Sequence, residues 1–393
     1  MICWKWKNRS CQPIGLDIGH DSIKMIQLVI NEGHIRVQDA NKVRIERRID
    51  GDAGKRRGFV VSALKKMLAE SNFRGREVVS CLPNDELKIT SLRLAEAESE
   101  KTEQALRKEA VQRFGLDPDK DAINYVVAGN VREGDEVKNE LILFAADNET
   151  IKSHIEMLEE CGLRPVGIDT VPCALFRSFE RSLRRQEDRE RSHVFVDLGS
   201  RFTTVVFGRG RQISLVKQIA IGGENFDRQI AAKLGVRLNE AEMLRGKLRA
   251  ERTVKTSPGS TERTHSQVPA NNKQQLDELT RQMIIDAVSA VAEKLAREIS
   301  LCFRYYTVAF RGNRVENAIF AGGQAYEGIL LNVLKRELAV EVSVAQPLKG
   351  FDMMNVNFDS DRRGLLCEWA VAVGLSLKGY SADHILPDGA DKL

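Results

Sequence analysis

Two similar strand-turn-strand segments, roughly 180 positions apart, constrain the fold of this chain more than any other feature. Residues 14–19 predict a β-strand that ends in Asp-x-Gly, and residues 22–28 predict the strand that follows it. Residues 194–199 and 202–207 repeat this arrangement in the second half of the chain. Such a repeat indicates a duplicated fold with a cleft between its two halves.

The composition is that of a folded protein with several lobes. The chain has 393 residues, of which 42% are apolar, and its formal net charge is +4. A chain of this length is too long to fold around one simple hydrophobic core, and it suits two to four lobes. The small net charge gives no argument for a nucleic-acid partner. No apolar run reaches the ~18 residues that are needed to span a bilayer.

The cysteines and the N-terminus indicate a reducing compartment. Seven cysteines are scattered without a Cys-x-x-Cys pair, and six histidines show no metal-ligand spacing. This pattern favours the cytoplasm over a disulfide framework or a zinc site.

The N-terminus lacks the apolar core of a signal peptide, but it interleaves Trp4 and Trp6 with Lys and Arg. Weak contact with an anionic membrane surface and a frayed terminus are both open interpretations.

The first half of the chain predicts a β-meander, a helix and a compact insert. Strands are predicted at 14–19, 22–28, 34–38 and 77–83, and a helix at 58–71. Residues 86–165 then show the order β-α-β-β-α, and Gly162 stops the last helix.

The second half contains a polar segment and a long helix. Residues 249–275 are rich in Ser, Thr, Pro, Asn and Gln, which predicts a disordered loop. Residues 274–308 form an amphipathic pattern, which favours a core helix over heptad pairing. Further on, the pattern predicts a strand at 318–320 and helices at 326–338 and 364–379.

An Asp-x-Gly turn between two strands is suited to phosphate binding. Glycine lets the backbone bend closely around a ligand, and neighbouring N–H groups can point at phosphate oxygens. Asp17 and Asp197 stand where a carboxylate can hold Mg²⁺ through water, because Mg²⁺ gives up its water reluctantly. Two such hairpins facing each other would hold a triphosphate from both sides.

Three segments resemble the actin-like ATPases. Residues 15–24 (Gly-Leu-Asp-Ile-Gly-His-Asp-Ser-Ile-Lys) resemble their first phosphate motif, residues 197–204 (Asp-Leu-Gly-Ser-Arg-Phe-Thr-Thr) the second, and residues 321–325 (Ala-Gly-Gly-Gln-Ala) the adenosine motif. The resemblance implies an α/β fold of two duplicated RNase H-like lobes that flank a cleft for ATP and Mg²⁺. The residues that it assigns to the nucleotide are Gly15, Asp17, Gly19, His20, Ser22, Lys24, Asp197, Gly199, Thr203, Thr204, Gly222, Gly223, Glu298, Gly322 and Gly323.

Within that superfamily, residues 13–380 are most similar to the PilM family of type IV pilus assembly proteins. The similarity rests on Lys24, on residues 81–84 (Cys-Leu-Pro-Asn), on Glu109 with Ala110, and on residues 156–165. It divides the chain into a flexible N-terminal segment (1–12), a first lobe (13–85 and 166–190), an FtsA/PilM-type insert (86–165), a second lobe (191–235 and 312–380) with a helical subdomain (236–311), and a flexible tail (381–393).

The family resemblance also implies a location and a partner. PilM-like proteins are cytoplasmic ATP-binding proteins at the inner face of the cytoplasmic membrane. They bind the short N-terminal cytoplasmic tail of the membrane protein PilN, and this tail docks beside the insert. The chain is therefore predicted to be a scaffold of a type IV pilus or a related secretion apparatus, and self-association is left open.

Departures from the family pattern predict slow or absent ATP hydrolysis. His20 stands where a small hydroxyl residue is usual, and Val171 where chaperone-type relatives carry a carboxylate that orients water. Hydrolysis needs a positioned and activated water molecule. Glu224 is the remaining candidate for a catalytic base, and a solvated loop carboxylate is the alternative. Leu301 and Cys302 replace the usual Arg and Ser, so contacts to adenosine also depart from the pattern.

Two other functions share this fold. One is an FtsA-like division protein, and the other is an enzyme of the sugar-kinase or chaperone ATPase type. FtsA ends in an amphipathic membrane helix, whereas residues 381–391 here are acidic and interrupted by Pro and Gly. Residues 222–227 resemble a chaperone segment, but no substrate-binding domain follows them.

Overall fold

A computed structural model shows an α/β protein with two five-stranded sheets and one three-stranded sheet among its described residues. It describes residues 11–46, 52–95, 99–117, 119–133, 136–181, 183, 191–255, 276–310, 314–354, 356, 358 and 366–378. The predicted tail, Trp4 and Trp6 lie outside these residues. The predicted N-terminal segment overlaps them only at its end, since the first strand begins at Cys11.

The first large sheet is an antiparallel meander extended by two parallel strands. Its strands are β1 (Cys11–Ile18), β2 (Ser22–Asn31), β3 (His34–Arg44), β4 (Glu77–Cys81) and β8 (Arg164–Asp169), in the order β3-β2-β1-β4-β8. β4 runs parallel to both β1 and β8. Helix α1 (Ala53–Glu70) buries Leu64 and Met67 in the core against this sheet.

The second large sheet repeats the topology of the first. Its strands are β9 (Ser192–Leu198), β10 (Thr203–Arg209), β11 (Gln212–Ile219), β12 (Val315–Ala321) and β13 (Glu341–Val344), in the order β11-β10-β9-β12-β13. Again the first three strands are antiparallel and the last two are parallel. The predicted duplication is therefore confirmed.

A small sheet with one helix is inserted after β4. It consists of β5 (Lys88–Ala95), helix α2 (Ser99–Phe114), β6 (Ala122–Glu133) and β7 (Glu136–Ala146), in the strand order β5-β7-β6. On one face, Leu106 and Ala110 of α2 pack against Leu141 and Leu143 of β7. On the other face, Phe144 and its neighbours join the core of the second lobe.

Helix α3 (Asn148–Glu160) packs on the first lobe, although its sequence pattern placed it in the insert. Leu158 of this helix is fully buried in the same core as Leu64 and Met67. The sequence order β-α-β-β-α gave no information on this packing, because α3 follows β7 with one residue between them. In the structure, the independent sheet of the insert therefore spans 88–146.

Among the described residues, four further helices contribute to the core of the second lobe. They are α5 (Gly223–Leu234), α6 (Leu238–Lys255), α7 (Glu278–Ala309) and α8 (Gly328–Glu337). α6 includes residues 249–255, which the sequence had assigned to a disordered loop; residues 256–275 are outside the described part. In α7, Leu295 and Ile299 are buried, as predicted for a core helix, but Leu279 is exposed.

Two helices lie between the large sheets and link the lobes. Helix α4 (Val171–Glu180) follows the first sheet in sequence and packs on β9, β10 and β11. Helix α9 (Ala370–Ser376) follows the second sheet and packs on β1, β2 and β4. Every residue of α9 is buried, as is typical of a helix that is apolar all round. Each lobe therefore contributes a helix to the core of the other.

Candidate functional site

A cavity of about 950 Å³ lies where the two duplicated hairpins face each other. The first hairpin joins β1 to β2 and the second joins β9 to β10, and α6 forms a further wall. The structure brings nine of the predicted nucleotide residues to this cavity. They are Asp17, Gly19, His20, Ser22, Lys24, Asp197, Gly199, Gly322 and Gly323.

The two hairpins share the same turn. The N–H of Gly19 donates to the carbonyl of Ser22 at 3.0 Å, and the N–H of Gly199 donates to the carbonyl of Phe202 at 3.0 Å. Both turns follow a strand that ends in Asp-x-Gly and place its carboxylate at the cavity wall. The sequence repeat is thus a repeat of local geometry as well.

Asp17, Lys24 and Asp197 form a charged group at the base of the cavity. Lys24 Nζ donates to Asp17 Oδ2 at 2.8 Å. Burial and the nearby Asp17 charge raise the pKa of Asp197 to about 6, although Lys24 partly opposes them. Burial alone would lower the pKa of Lys24, but the surrounding carboxylates outweigh it, so that this pKa is raised. Two carboxylates that share one lysine in this way attract a further cation.

Gly322 leaves space that a side chain would fill. Its φ angle is +88°, a conformation that favours glycine. A Cβ atom there would lie 2.6 Å from Asp197 Oδ1 and 2.5 Å from the carbonyl oxygen of Leu198. Residues 322–327, called the Gly322 segment below, can therefore approach the second hairpin closely only because Gly322 has no side chain.

Five predicted residues support the cavity from outside its lining. A Cβ atom on Gly15 would lie 2.1 Å from the carbonyl oxygen of Ala372, so Gly15 serves the packing of α9 on β1. The hydroxyl of buried Thr203 donates to the Ile221 carbonyl at 2.7 Å. Thr204 accepts a hydrogen bond from the side chain of Asn84. Gly222 lies against the backbone of Ser200 and Arg201, and Gly223 lies against the side chain of Gln324.

The structure also places the two predicted glutamates outside the cavity lining. Glu298 lies on α7, close enough to Cys302 for its charge to contribute to the raised pKa of that thiol. Glu224 pairs with Arg201 at 3.3 Å and with Arg228 at 2.5 Å. A carboxylate held by two guanidinium groups is a weak proton acceptor, which favours a structural role for Glu224.

One helix face of the cavity was missed from the sequence. Glu242, Arg245, Gly246 and Arg249 of α6 line the cavity. Arg249 donates to Gln324 Oε1 at 3.2 Å and to Glu327 Oε2 at 3.2 Å, which ties α6 to the Gly322 segment. The positions 242, 245, 246 and 249 fall on one face of a helix, so this spacing was the available signal.

The donor groups of the cavity fit Mg²⁺ together with a phosphate ligand. Mg²⁺ is usually held by one or two carboxylates, by water and by substrate phosphates. Asp17 and Asp197 supply two carboxylates from facing hairpins. Among the described residues, no group of three His, Cys, Asp or Glu side chains could hold a metal ion without such help. The two carboxylates match the number that Mg²⁺ usually takes from a protein together with water and substrate phosphates.

The duplicated sheets, the interlobe helices and this cleft define a protein with the actin-like ATPase fold. Two family models agree with that class. The chain belongs to the PilM family of type IV pilus assembly proteins, whose model matches residues 15–252. The model of the cell division protein FtsA matches residues 194–360.

Solved structures of low sequence identity show the same fold. The chain is similar to the solved structure of a PilM-PilN type IV pilus biogenesis complex, with a TM-score of 0.73 and 21% identity over 95% of this chain and 100% of the other. The ethanolamine utilization protein EutJ from Carboxydothermus hydrogenoformans gives a TM-score of 0.51 at 12% identity, over 94% and 90% of the two chains. No curated protein sequence matches the chain significantly.

Among the described helices, none combines the length and the hydropathy needed to span a bilayer.

Proposed function

We propose that this chain is an ATP-binding scaffold of a type IV pilus or a related secretion apparatus, located in the cytoplasm at the inner face of the membrane. The observation that carries the proposal is the match of residues 15–252 to the PilM family, together with the cleft between two equivalent hairpins. The partner is the cytoplasmic N-terminal tail of a PilN-like membrane protein.

In this proposal the two hairpins would hold Mg²⁺-ATP. Asp17 and Asp197 would hold the metal through water, and Lys24 and the hairpin backbone would contact the phosphates. The Gly322 segment and α6 would contact the nucleoside. When bound, the metal and the triphosphate would place charge between the two hairpins, which belong to different lobes.

Turnover of the nucleotide is proposed to be slow or absent. Val171, which is apolar, lines the cavity where chaperone-type relatives carry a carboxylate. The candidate base Glu224 is engaged by two arginines. Without a group that positions and deprotonates water, hydrolysis stays far below the ~1–10³ s⁻¹ that enzymes commonly reach.

Nucleotide binding is tested by titration of a fluorescent ATP analogue with Mg²⁺. Asp17→Ala and Asp197→Ala should each weaken binding, because each removes a carboxylate that faces the metal. Asp119→Ala is a matched control, since this aspartate is an exposed residue of the insert. Unchanged affinity in both site variants would overturn the two-hairpin site. Phosphate release of several per second would contradict slow turnover and show that the scaffold role is incomplete.

The insert is the proposed docking site for the tail. The solved relative is titled as a PilM-PilN complex, which supports a partner of this kind. Among the described strands, β5 is hydrogen-bonded only to β7, and it lies at an edge of the three-stranded sheet of the insert. An edge strand can accept an extended peptide as a further strand.

Tail binding is tested by a pull-down with the N-terminal peptide of the PilN-like protein. The deletion should remove 88–146 and keep α3, because α3 packs in the core of the first lobe. Lys88 lies opposite Ala145 in the sheet, so a short turn can join the cut ends. Full retention of the peptide by a deletion variant that still binds nucleotide would show that the insert is not the docking site.

An FtsA-like division protein is the second candidate, since the FtsA model matches residues 194–360. Filament formation with ATP, measured by sedimentation, would favour this candidate over the scaffold.

A further inference from the structure

A five-residue hinge connects the first lobe to the insert and passes beside the main cavity. It covers residues 83–87, between the loop that follows β4 and the start of β5 at Lys88. Pro83 and Asn84 line the cavity. At its other end Leu87 is buried in the core that the insert shares with the second lobe. A displacement of this hinge would therefore move the insert.

The hinge contacts the first hairpin through Asp85. Asp85 Oδ1 lies 3.6 Å from Nε2 of His20. The imidazole lowers the pKa of Asp85, so this group is a carboxylate near neutral pH. Both ring nitrogens of His20 are buried, and within the described residues neither makes a hydrogen bond of normal length. His20 also lines the cavity, so its imidazole can exchange the long contact with Asp85 for a shorter one with a ligand bound there.

The hinge contacts the second hairpin through Asn84. Its side-chain amide donates to Thr204 Oγ1 at 3.3 Å and accepts from Gln218 Nε2 at 3.2 Å. Thr204 lies on β10 and Gln218 on β11. Neighbouring residues of the hinge are therefore bound to different hairpins, and a change in the space between the hairpins acts on both contacts.

We propose that this hinge transmits the presence of the terminal phosphate of a bound nucleoside triphosphate to the insert. The proposal rests on nucleotide binding in the cleft. The terminal phosphate is an anion and an acceptor, so it takes His20 as a donor and repels the Asp85 carboxylate. The contact between Asp85 and His20 is then lost, and the hinge is released. A nucleoside diphosphate lacks this phosphate and leaves the contact in place.

Hydrogen exchange of the full-length protein tests this coupling directly. Peptides that cover 82–95 are followed without nucleotide, with Mg²⁺-ADP and with Mg²⁺-ATP, each at saturation. We expect faster exchange in the hinge with ATP than with ADP. In Asp85→Asn, exchange should already be fast without nucleotide and should not respond to ATP. Asp119→Asn, which changes an exposed charge of the insert, should behave like the unaltered protein.

Affinity measurements give a second readout for His20. Loss of a hydrogen bond to a charged group costs roughly tenfold or more in affinity. His20→Ala should therefore weaken ATP binding by about this factor more than it weakens ADP binding, and His20→Asn, which keeps a donor, should restore part of the difference.

Two results would overturn the proposal. One is equal hinge exchange with saturating ATP and ADP in the unaltered protein, which needs no variant to fold. The other is a normal ATP response in Asp85→Asn. If the unaltered protein binds neither nucleotide, the proposed function itself fails, and the absence of saturation distinguishes that result.

Discussion

The carboxylate of Asp197 shows how a single residue can make the cleft sensitive to pH. Burial and the charge of Asp17 raise its pKa to about 6, from an ordinary value of 3.8. Below that pH the group takes up a proton and no longer attracts a cation. A bound metal ion favours the carboxylate and so releases that proton.

We therefore predict that Mg²⁺-ATP binding weakens as pH falls through about 6. The loss should approach about tenfold per pH unit below that point. The measurement is a titration with a fluorescent ATP analogue from pH 5 to 8. Asp197→Asn should bind more weakly throughout and lose this part of the pH dependence, while the slope due to the phosphates remains. An unaltered slope in Asp197→Asn would contradict the prediction.

A second single residue, His154, links stability to pH outside the cleft. His154 on α3 is buried, and its Nε2 lies 3.1 Å from Ser80 Oγ on β4. Burial lowers its pKa from 6.5 to about 4. Between these values the unfolded chain binds the proton and the folded chain does not, so stability rises with pH across this window.

Acidification from pH 6.5 to 4 should therefore cost about 3 kcal/mol of unfolding free energy through His154. Urea unfolding at several pH values measures this loss. His154→Gln stays neutral and keeps a group that can bond Ser80, so its unfolding free energy should depend less on pH. Identical pH profiles for both proteins would show that His154 is not responsible.

At the residue scale, the sequence predicted the groups with local signatures and missed those that depend on packing. Asp17, Asp197 and Gly322 lie in motifs whose geometry is local, and the structure brings all three to the cavity. Glu298 came from a family pattern alone, and it lies on a helix that does not line the cavity. Asp85 has no local signature, because its contact with His20 depends on how the insert leaves β4.

At the scale of elements, helices α4 and α9 approach each other closely at Gly374. A Cβ atom on Gly374 would lie 1.7 Å from the carbonyl oxygen of Ala174. No rotation of a side chain can relieve such an overlap, since the backbone fixes the position of the Cβ atom and its neighbour is a backbone oxygen. The two helices that link the lobes therefore pack without an intervening side chain at this point.

Gly374→Ala should destabilise the protein by about 3 kcal/mol or more, because the helices must separate to admit the methyl group. Gly58→Ala provides a matched control in α1, where nothing lies within 4 Å of the new Cβ atom. That change should stabilise the protein by about 1 kcal/mol, since alanine favours a helix. Thermal unfolding of both variants measures the difference. Equal unfolding temperatures would argue against the tight contact.

At the element scale, the positions of strands were more predictable than the lobe on which each helix packs. The strands of the two meanders carry apolar alternation and turn residues, so their positions follow from local pattern. The sequence assigned α3 to the insert, but α3 packs on the first lobe. Leu158 determines this packing, because it is buried in the same core as the apolar residues of α1. The end of α6 lies in a polar segment whose role depends on Glu327, a distant residue.

For the whole molecule, an ion pair bridges the mouth of the cleft. Arg44 at the end of β3 pairs with Glu242 of α6, which belongs to the other half of the fold. Arg44 also lies 3.8 Å from Asp21 of the first hairpin. Its side chain is 67% exposed, so the pair adds little to stability. Both residues line the cavity, so we expect the pair to affect how fast a ligand leaves it.

Arg44→Ala should raise the dissociation rate of the nucleotide about threefold to tenfold, while unfolding free energy changes by less than ~1 kcal/mol. Stopped-flow displacement of a fluorescent analogue measures the rate. The exchanged pair Arg44→Glu with Glu242→Arg should restore slow release, whereas Arg107→Ala on the insert should have no effect. Fast release in the exchanged pair would contradict a bridging role.

The duplication was the most predictable property of the whole molecule, because the repeated hairpins determine the first three strands of each sheet. The lobe that each interlobe helix packs on was not predictable, since α4 and α9 cover the sheet of the opposite lobe. The sequence within α4 or α9 does not indicate which sheet the helix covers.

The exchange of helices also affects how the protein is made. The hydroxyl of Ser376 on α9 bonds the carbonyl of Pro13 on β1, and the two residues are 363 positions apart in the chain. At ~5–20 residues per second, a ribosome needs roughly 20–70 s to make that length. During this time one apolar face of the first sheet stays exposed, because α9 has not yet been synthesised to pack on it. Exposed apolar surface of this kind promotes aggregation. The nascent chain therefore has to be protected until residues 370–376 emerge, and the first lobe completes its core only after the second has been synthesised.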